Sequence, residues 1–208
     1  MKIERLSGLA DGIFAIVMTL LAIDIKPPHI AGLVTNDSLL QSLETMIPTF
    51  VGFFISFVLL FVYWRSHHFV ISVYAKNIDL NLTGINALFF LFIALVPFTS
   101  HLIGQYASNQ LAIILYAINI IFIGLTLLWM KYYVIHSTTI ENNPLTERDI
   151  KNGDIRILFP VYCATLAIFV SFFSIDLALL LFPIGIIFNL IPRTTNLVIA
   201  VEKVLIGQ

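Results

Sequence analysis

The most regular feature of the sequence is an alternation of long apolar runs with short polar segments. Six such runs cover, approximately, residues 8–25, 43–64, 85–103, 111–130, 157–173 and 177–191. A helix needs about 20 predominantly apolar residues to cross the hydrocarbon core of a bilayer, and most of the runs approach that length. The pattern therefore predicts an all-α membrane protein in which residues 1–208 form a single six-span transmembrane domain.

Turn-forming and helix-capping residues separate the runs. A Lys-Pro-Pro segment at 26–28 closes the first run, an Asn-Asp-Ser cluster at 36–38 is typical of a helix start before the second, and Pro192 stops the sixth. Only the segment 174–176 separates the last two runs. We expect these two runs to form a helical hairpin, because one helix of their combined length would exceed the bilayer thickness.

The composition agrees with a membrane protein and excludes several other classes. Of the 208 residues, 59% are hydrophobic and 11% are charged, and the mean hydropathy is +0.98. Soluble domains carry about 25% charged residues, so this chain cannot cover a globular surface with polar groups. The net charge of -1 gives no sign of nucleic-acid binding, and the single cysteine, Cys163, excludes an intrachain disulfide and a cysteine-based zinc cluster.

The placement of basic residues predicts the orientation in the membrane. If both termini are cytoplasmic, ten of the eleven Lys and Arg residues fall on the inner side and only Lys26 falls outside. Cytoplasmic loops carry an excess of Lys and Arg, so this division favours an even number of spans with both termini inside. The ten are Lys2, Arg5, Arg65, Lys76, Lys131, Arg148, Lys151, Arg156, Arg193 and Lys203.

The segment 132–156 is the longest polar stretch and contains both acidic and basic residues. We interpret it as a solvated cytoplasmic connector between the fourth and fifth spans. The alternative is that it includes a short cytoplasmic helix after Pro144.

An acidic residue, Asp11, lies inside the first apolar run. The run lacks a small-residue cleavage site, so we expect a retained span rather than a signal peptide. A charged side chain at this depth normally has a partner, but Arg5 is about 120° away in azimuth and about 9 Å away along the helix. We therefore expect Arg5 and Asp11 to contact other helices or subunits. Both a helix-locking role and an ion-binding or proton-relay role stay open for them.

One face of the first predicted helix carries Gly12, Ile16, Thr19 and Ile23, with Leu20 at its edge. These residues recur at the spacing of a single helical face. In a membrane helix every face is apolar, so this spacing alone does not distinguish a functional face from a packing face. From the residues alone we interpret it as a packing stripe.

Several segments, taken together, resemble a known family. Residues 5–11 read Arg-Leu-Ser-Gly-Leu-Ala-Asp, 14–21 read Phe-Ala-Ile-Val-Met-Thr-Leu-Leu, 64–67 read Trp-Arg-Ser-His, and Asn86 precedes Pro97 by eleven residues. They resemble the Arg-x-x-x-Phe-Ser-Asp, Ala-Ile…Thr-Leu-Leu, Trp-x-x-His and Asn…Leu-Pro motifs of the transmembrane protein 175 family of potassium channels. Leu9 replaces the family's Phe and Ala10 its Ser, which removes a hydroxyl beside Asp11. The single six-span repeat resembles the prokaryotic form.

The resemblance implies a homotetramer in a bacterial or archaeal plasma membrane, with four copies of the first helix lining a central pore. It implies a hydrophobic constriction at Ile16 with further layers at Leu20 and Ile23, and a contribution of Thr19 to selectivity. Potassium would be the permeant ion, among other monovalent cations, with modest selectivity over sodium because no oxygen cage surrounds the ion. No fixed metal or cofactor is implied, and the predicted partners are the lipid bilayer and the other subunits.

The resemblance also implies a polar network behind the pore helix. Its predicted members are Arg5, Asp11, Trp64, His67 and Asn86, whose indole, imidazole and amide groups are suitable partners for buried charges.

Two other functions are compatible with the sequence. The first is a proton-coupled secondary transporter with Asp11 and His67 as the titrating pair, although transporters tend to show internal repeats and none is visible here. The second is a membrane scaffold that moves no ions. The sequence offers no candidate catalytic site for an enzyme, because it contains no nucleophile triad, paired carboxylates, zinc motif or phosphate loop.

Overall fold

The computed structural model describes residues 3–23, 25–30, 32–141 and 143–191, and their regular structure is helical. The predicted all-α class is therefore confirmed. A π-helical segment, Phe69–Tyr74, continues α3 without a break. The helices are α1 Ile3–Ile23, α2 Asn36–Glu44, α3 Ile47–His68, α4 Leu80–Ala94, α5 Val96–Gln105, α6 Gln110–His136, α7 Glu147–Val170 and α8 Ile175–Leu190.

Within the part of the chain that the structure describes, five helical stretches are long and apolar enough to cross a membrane. The sixth apolar helix, α8, has 16 residues, which corresponds to about 24 Å and is shorter than a full span. Six crossings with both termini inside therefore stay a prediction. Lys2, Pro192, Arg193 and Lys203, on which that prediction partly rests, lie outside the described residues. The five stretches are Ile3–Ile23, Ile47–Tyr74, Leu80–Gln105, Gln110–His136 and Glu147–Val170.

The third apolar run is not one regular helix. It divides at Leu95, where α4 ends and α5 begins, because Pro97 occupies the first turn of α5. Proline has no backbone N–H and its ring excludes the preceding turn, so the α4 ladder cannot continue through this position. The two halves still form one stretch of 26 residues.

Two predicted boundaries shift because local caps start separate helices. The cluster at 36–38 begins the nine-residue helix α2, capped by Thr35, and the second span starts only at Ile47. The interpretation of 132–156 as a solvated connector is wrong for most of its length. Thr146 and Asp149 form a capping box that starts α7, which continues directly into the fifth span. A helix does begin shortly after Pro144, but it is not the short separate helix of the alternative, because it forms the first turns of the 24-residue α7.

The bundle is organised around α6, which packs against α4, α5 and α7. Helices α7 and α8 pack closely against each other, so the predicted hairpin is confirmed. Asp79, the N-cap of α4, joins the start of α4 to the end of α6 by accepting hydrogen bonds from the hydroxyls of Tyr133 and Thr139. Slight burial raises the pKa of the Asp79 carboxyl, but these hydrogen bonds outweigh it and hold that pKa below its ordinary value.

Packing between α6 and α7 depends on Gly124. A Cβ at this position would overlap the Cγ2 methyl of Val161, which lies on α7. A side chain here would therefore push the two helices apart or displace Val161.

We expect Gly124→Ala to lower the free energy of unfolding by about 1–3 kcal/mol, the usual cost of overpacking. Thermal unfolding of the protein in detergent measures this as a lower Tm. The double variant Gly124→Ala/Val161→Ala removes the overlapping methyl and should recover part of the loss. Gly84→Ala is the control, because a Cβ on Gly84 meets nothing within 4 Å. A Tm of Gly124→Ala equal to that of the unmodified protein would contradict this account.

Candidate functional site

Helix α1 has two faces with opposite surroundings. One face, formed by Leu6, Ala10, Phe14, Val17 and Leu21, is buried against α3, α4 and α5. The other face leaves large apolar side chains uncovered in the single subunit: Ile16 is 60% exposed, Leu20 42% and Ile23 69%. The subunit therefore presents these three residues to lipid, to another subunit or to a pore.

Thr19 is the polar member of the exposed face. Its hydroxyl donates to the backbone oxygens of Ala15, at 3.0 Å, and of Ile16, at 2.8 Å. Because the single hydroxyl proton is used within the helix, the lone pairs of the oxygen stay available to an incoming cation. The exposed face thus offers one oxygen ligand per subunit between two apolar layers.

Asp11 is held by α3 rather than by a residue of its own helix. The indole Nε1 of Trp64 donates a hydrogen bond of 2.8 Å to Asp11 Oδ1. An indole N–H can only donate, so the geometry fixes the acceptor role of the carboxylate. This contact fastens α1 to α3 near the end of the bundle at which α1 begins.

A second polar pair is fully buried behind α1. His67 Nε2 lies 2.6 Å from Asn86 Oδ1, and the Asn86 amide donates to the backbone oxygen of Leu82 at 2.8 Å. The amide nitrogen is thus occupied by Leu82, so the amide oxygen accepts and His67 Nε2 carries the proton. The imidazole also stacks on Phe89, with a centroid distance of 5.2 Å.

Phe14 brings an aromatic ring of α1 against the buried pair. Its ring centroid lies 6.5 Å from that of His67 and 6.1 Å from that of Phe89. The sequence analysis did not select Phe14, although its position three residues after Asp11 belongs to the same quoted motif segment. The aromatic cluster of Phe14, His67 and Phe89 thus packs α1 against α3 and α4.

The five residues of the predicted polar network do not form one connected set within a subunit. Asp11 pairs with Trp64 and His67 pairs with Asn86, but the described residues include no hydrogen bond between the two pairs. Arg5 is exposed, and within the described part of this subunit it has no hydrogen bond or ion pair. The expectation that Arg5 and Asp11 do not pair along one helix agrees with this arrangement.

The sequence analysis also missed other polar contacts between helices. Ser7, on α1, lies 3.0 Å from the hydroxyl of Ser72 in the π-helical segment. At the far end of α8, the backbone oxygen of Asn189 accepts from Arg65 and Arg156. The available signal was the position of Asn189 as a polar residue inside the last apolar run.

We expect Asn86→Leu to destabilise the protein by about 1–3 kcal/mol, because it leaves the buried His67 N–H without an acceptor. The Tm of the detergent-solubilised protein measures the loss. The double variant His67→Phe/Asn86→Leu removes both polar partners and keeps a ring against Phe89, so it should be more stable than Asn86→Leu alone.

Asn81→Leu makes the same substitution at an exposed position of α4 and serves as the control. An equal loss of stability in Asn81→Leu and Asn86→Leu, or a double variant no better than Asn86→Leu, would refute the importance of the buried pair.

Comparison with known sequences agrees with the motifs of α1, α3 and α4. The family model described as the endosomal/lysosomal potassium channel TMEM175 matches residues 5–97. That range contains every residue assigned above to the exposed face of α1 and to the predicted polar network.

Relatives with established names are both bacterial and vertebrate. A potassium channel of Streptomyces collinus is 32% identical over 108 residues, covering 52% of this chain and 50% of that protein. A potassium channel of Chamaesiphon minutus is also 32% identical over 108 residues, covering 52% of each chain. The endosomal/lysosomal proton channel TMEM175 of Gallus gallus is 31% identical over 112 residues, covering 51% of this chain and 22% of that protein. The matches thus span about half the length of these two bacterial relatives.

The fold matches a solved structure over almost its whole length. The lysosomal potassium-selective channel TMEM175 homolog from Chamaesiphon minutus superposes with a TM-score of 0.76 at 26% identity. The match covers 92% of this chain and 97% of that chain. The motif segments, the match of the family model to residues 5–97 and the shared helical fold all show that this chain is similar to the TMEM175 family.

Proposed function

We propose that this protein is a homotetrameric, potassium-permeable cation channel of a prokaryotic plasma membrane, with the exposed face of α1 lining its pore. The observation that carries the proposal is the stripe of Ile16, Leu20 and Ile23, which the subunit leaves uncovered on a side of α1 that does not face the rest of the bundle. The names of the bacterial relatives, which are potassium channels, support the same assignment.

In this proposal four Ile16 side chains form the narrowest layer of the pore, and Leu20 and Ile23 form the layers beyond it. An apolar ring of this kind offers a hydrated ion no replacement for its water, so it gates by dewetting. Sodium is smaller and more strongly hydrated than potassium and loses more on dehydration. The ring therefore favours potassium modestly, without an oxygen-lined filter.

Thr19 supplies the oxygen atoms that add to this preference. Its hydroxyl proton is engaged by the backbone of Ala15 and Ile16, so four Thr19 oxygens can face the ion with their lone pairs. Four such ligands replace only part of a hydration shell, which agrees with modest rather than strong selectivity.

The polar pairs position the pore helix in this mechanism. Trp64 holds Asp11, and the buried His67 and Asn86 support Phe14 from behind. Arg5, which has no hydrogen bond or ion pair within the described part of its own subunit, would meet a neighbouring subunit at the start of α1.

Proton movement is the second candidate, because the named vertebrate relatives are proton channels. A proton-coupled transporter that uses Asp11 and His67 would need a path between the two residues. In this structure the Asp11 carboxylate is bonded to Trp64 and the His67 imidazole to Asn86. The channel experiment below measures proton flux in the same vesicles.

Reconstituted vesicles test the channel directly. Proteoliposomes loaded with potassium chloride are diluted into sodium chloride with a proton ionophore and a pH-sensitive dye, so potassium efflux appears as inward proton movement. We expect a signal that depends on the protein and does not saturate with potassium concentration. A signal of the same size without the ionophore would favour proton conduction, and no signal beyond protein-free vesicles would refute the proposal.

Ile16→Asn tests the constriction. A polar ring at the narrowest layer should raise potassium flux and lower the ratio of potassium to sodium permeability, because water then stays in the pore. Ile184→Asn on α8 is the matched control, since Ile184 is 51% exposed and lies outside α1. If both variants keep the flux and the ratio of the unmodified channel, Ile16 is not in the pore.

Thr19→Val tests the selectivity role. Removing a hydroxyl ligand worth about 1 kcal/mol should lower the potassium-to-sodium permeability ratio by up to roughly fivefold while conduction persists. Thr165→Val is the control, because Thr165 makes the same type of bond to the carbonyl four residues earlier, at 2.8 Å, but lies on α7. A ratio that is unchanged in Thr19→Val would remove this residue from the selectivity mechanism.

A further inference from the structure

A cavity of about 790 Å³ opens at the end of the bundle where α3 finishes and α7 begins. Its walls are the last turn of α3, the π-helical segment, the end of α6, the segment 143–145 and the first turns of α7. No residue of α1 lines it, so this cavity is separate from the proposed pore.

Two arginines that line this cavity converge on one acceptor, the backbone oxygen of Asn189. Arg65 Nη2 lies 2.7 Å and Arg156 Nη1 lies 3.3 Å from the backbone oxygen of Asn189. The side-chain amide of Asn189 donates back to the carbonyl of Arg156 at 3.0 Å, which fixes the acceptor. The fold therefore holds two guanidinium groups close together, although like charges at this separation repel.

Acidic groups near the cavity are already engaged elsewhere. Asp149 accepts hydrogen bonds from the hydroxyl and backbone N–H of Thr146 as part of the α7 capping box. Asp154 forms an ion pair of 2.7 Å with Lys131. Arg65 has no ion pair among the residues that the structure describes. The lining of three basic and one acidic side chain thus leaves an excess of positive charge.

The other residues of the cavity lining provide an apolar surface and one polar atom, the Asn152 side-chain oxygen, that has no hydrogen-bond donor among the described residues. Phe69 and Val73 line the cavity and are 48% and 39% exposed, so the apolar wall continues onto the outer surface of the bundle. The side-chain oxygen of Asn152, also in the lining, is buried and has no hydrogen-bond donor among the described residues.

We propose that this cavity binds the phosphate group of an anionic phospholipid. Two adjacent guanidinium groups match the oxygens of a phosphate, which arginine binds through paired hydrogen bonds. The apolar wall formed by Phe69 and Val73 suits the glycerol and first methylene groups of a lipid, whereas a small soluble phosphate would gain nothing from it. A hydroxyl in the headgroup would supply the donor that Asn152 lacks.

The position of the cavity agrees with this ligand. It lies at the predicted cytoplasmic end of the bundle. Arg65 and Lys131 directly follow the second and fourth apolar runs, and Arg156 directly precedes the fifth. Headgroups of the inner leaflet reach this depth, and anionic lipids concentrate near basic residues there. A bound lipid would join Arg65 on α3 and Arg156 on α7 through one phosphate.

Native mass spectrometry of the full-length, detergent-solubilised protein tests the proposal. The probes are phosphatidylglycerol and phosphatidylcholine with identical acyl chains, together with soluble glycerol phosphate. We expect tight binding of phosphatidylglycerol, and Arg65→Gln should weaken it by about tenfold, as expected for one charge-assisted contact. Lys151→Gln is the matched control, because Lys151 is an exposed cation on α7 that does not line the cavity.

A second variant keeps the proposal testable if Arg65→Gln fails to fold. Val73→Trp fills the cavity from its exposed side and leaves both arginines in place, so it should also reduce binding of phosphatidylglycerol. Equal binding of the two lipids would overturn the proposal, as would equal binding by Arg65→Gln and Lys151→Gln. Binding of glycerol phosphate in an Arg65-dependent manner without binding of phosphatidylglycerol would also overturn the lipid assignment.

Discussion

The hydrogen bond between the Trp64 indole and the Asp11 carboxylate determines how α1 can sit in this bundle. A carboxylate inside an apolar span is costly unless a donor reaches it, and here the donor comes from α3. With Asp11 directed at α3, Phe14 turns toward the His67 imidazole and the opposite side of the helix is left uncovered. One polar contact thus separates the packed face of α1 from the face that carries Ile16.

The same constraint explains why so few polar residues shape the interior. A buried polar group is costly unless it finds a partner inside the protein, because the bilayer supplies none. His67 uses Asn86, and Ser56 uses Tyr116, whose hydroxyl oxygen lies 2.9 Å from that of Ser56. These contacts join different helices, so they give an otherwise uniform apolar bundle a defined arrangement.

Much of the fold could be predicted from the sequence because apolar runs and helix caps are local signals. The runs located every apolar helix, and the capping box at Thr146 could have marked the start of α7 had it been weighed against the polarity of the segment. The convergence of Arg65 and Arg156 on Asn189 could not be predicted from local signals. Arg65 is separated from Asn189 by 124 positions in the sequence, and Arg156 is separated from it by 33. For Asp11 the sequence predicted a contact with another helix or subunit, but it did not identify Trp64 as the hydrogen-bond donor.

Trp64 and Arg65 are consecutive residues of α3, yet they hold different neighbours. Trp64 binds α1 through Asp11, and Arg65 binds α8 through the carbonyl of Asn189. Consecutive side chains leave a helix about 100° apart, so α3 cannot turn about its own axis without breaking one of the two contacts. The two contacts therefore fix the rotation of helix α3, and in the proposed channel a change in pore width would come from movement of α1 relative to α3.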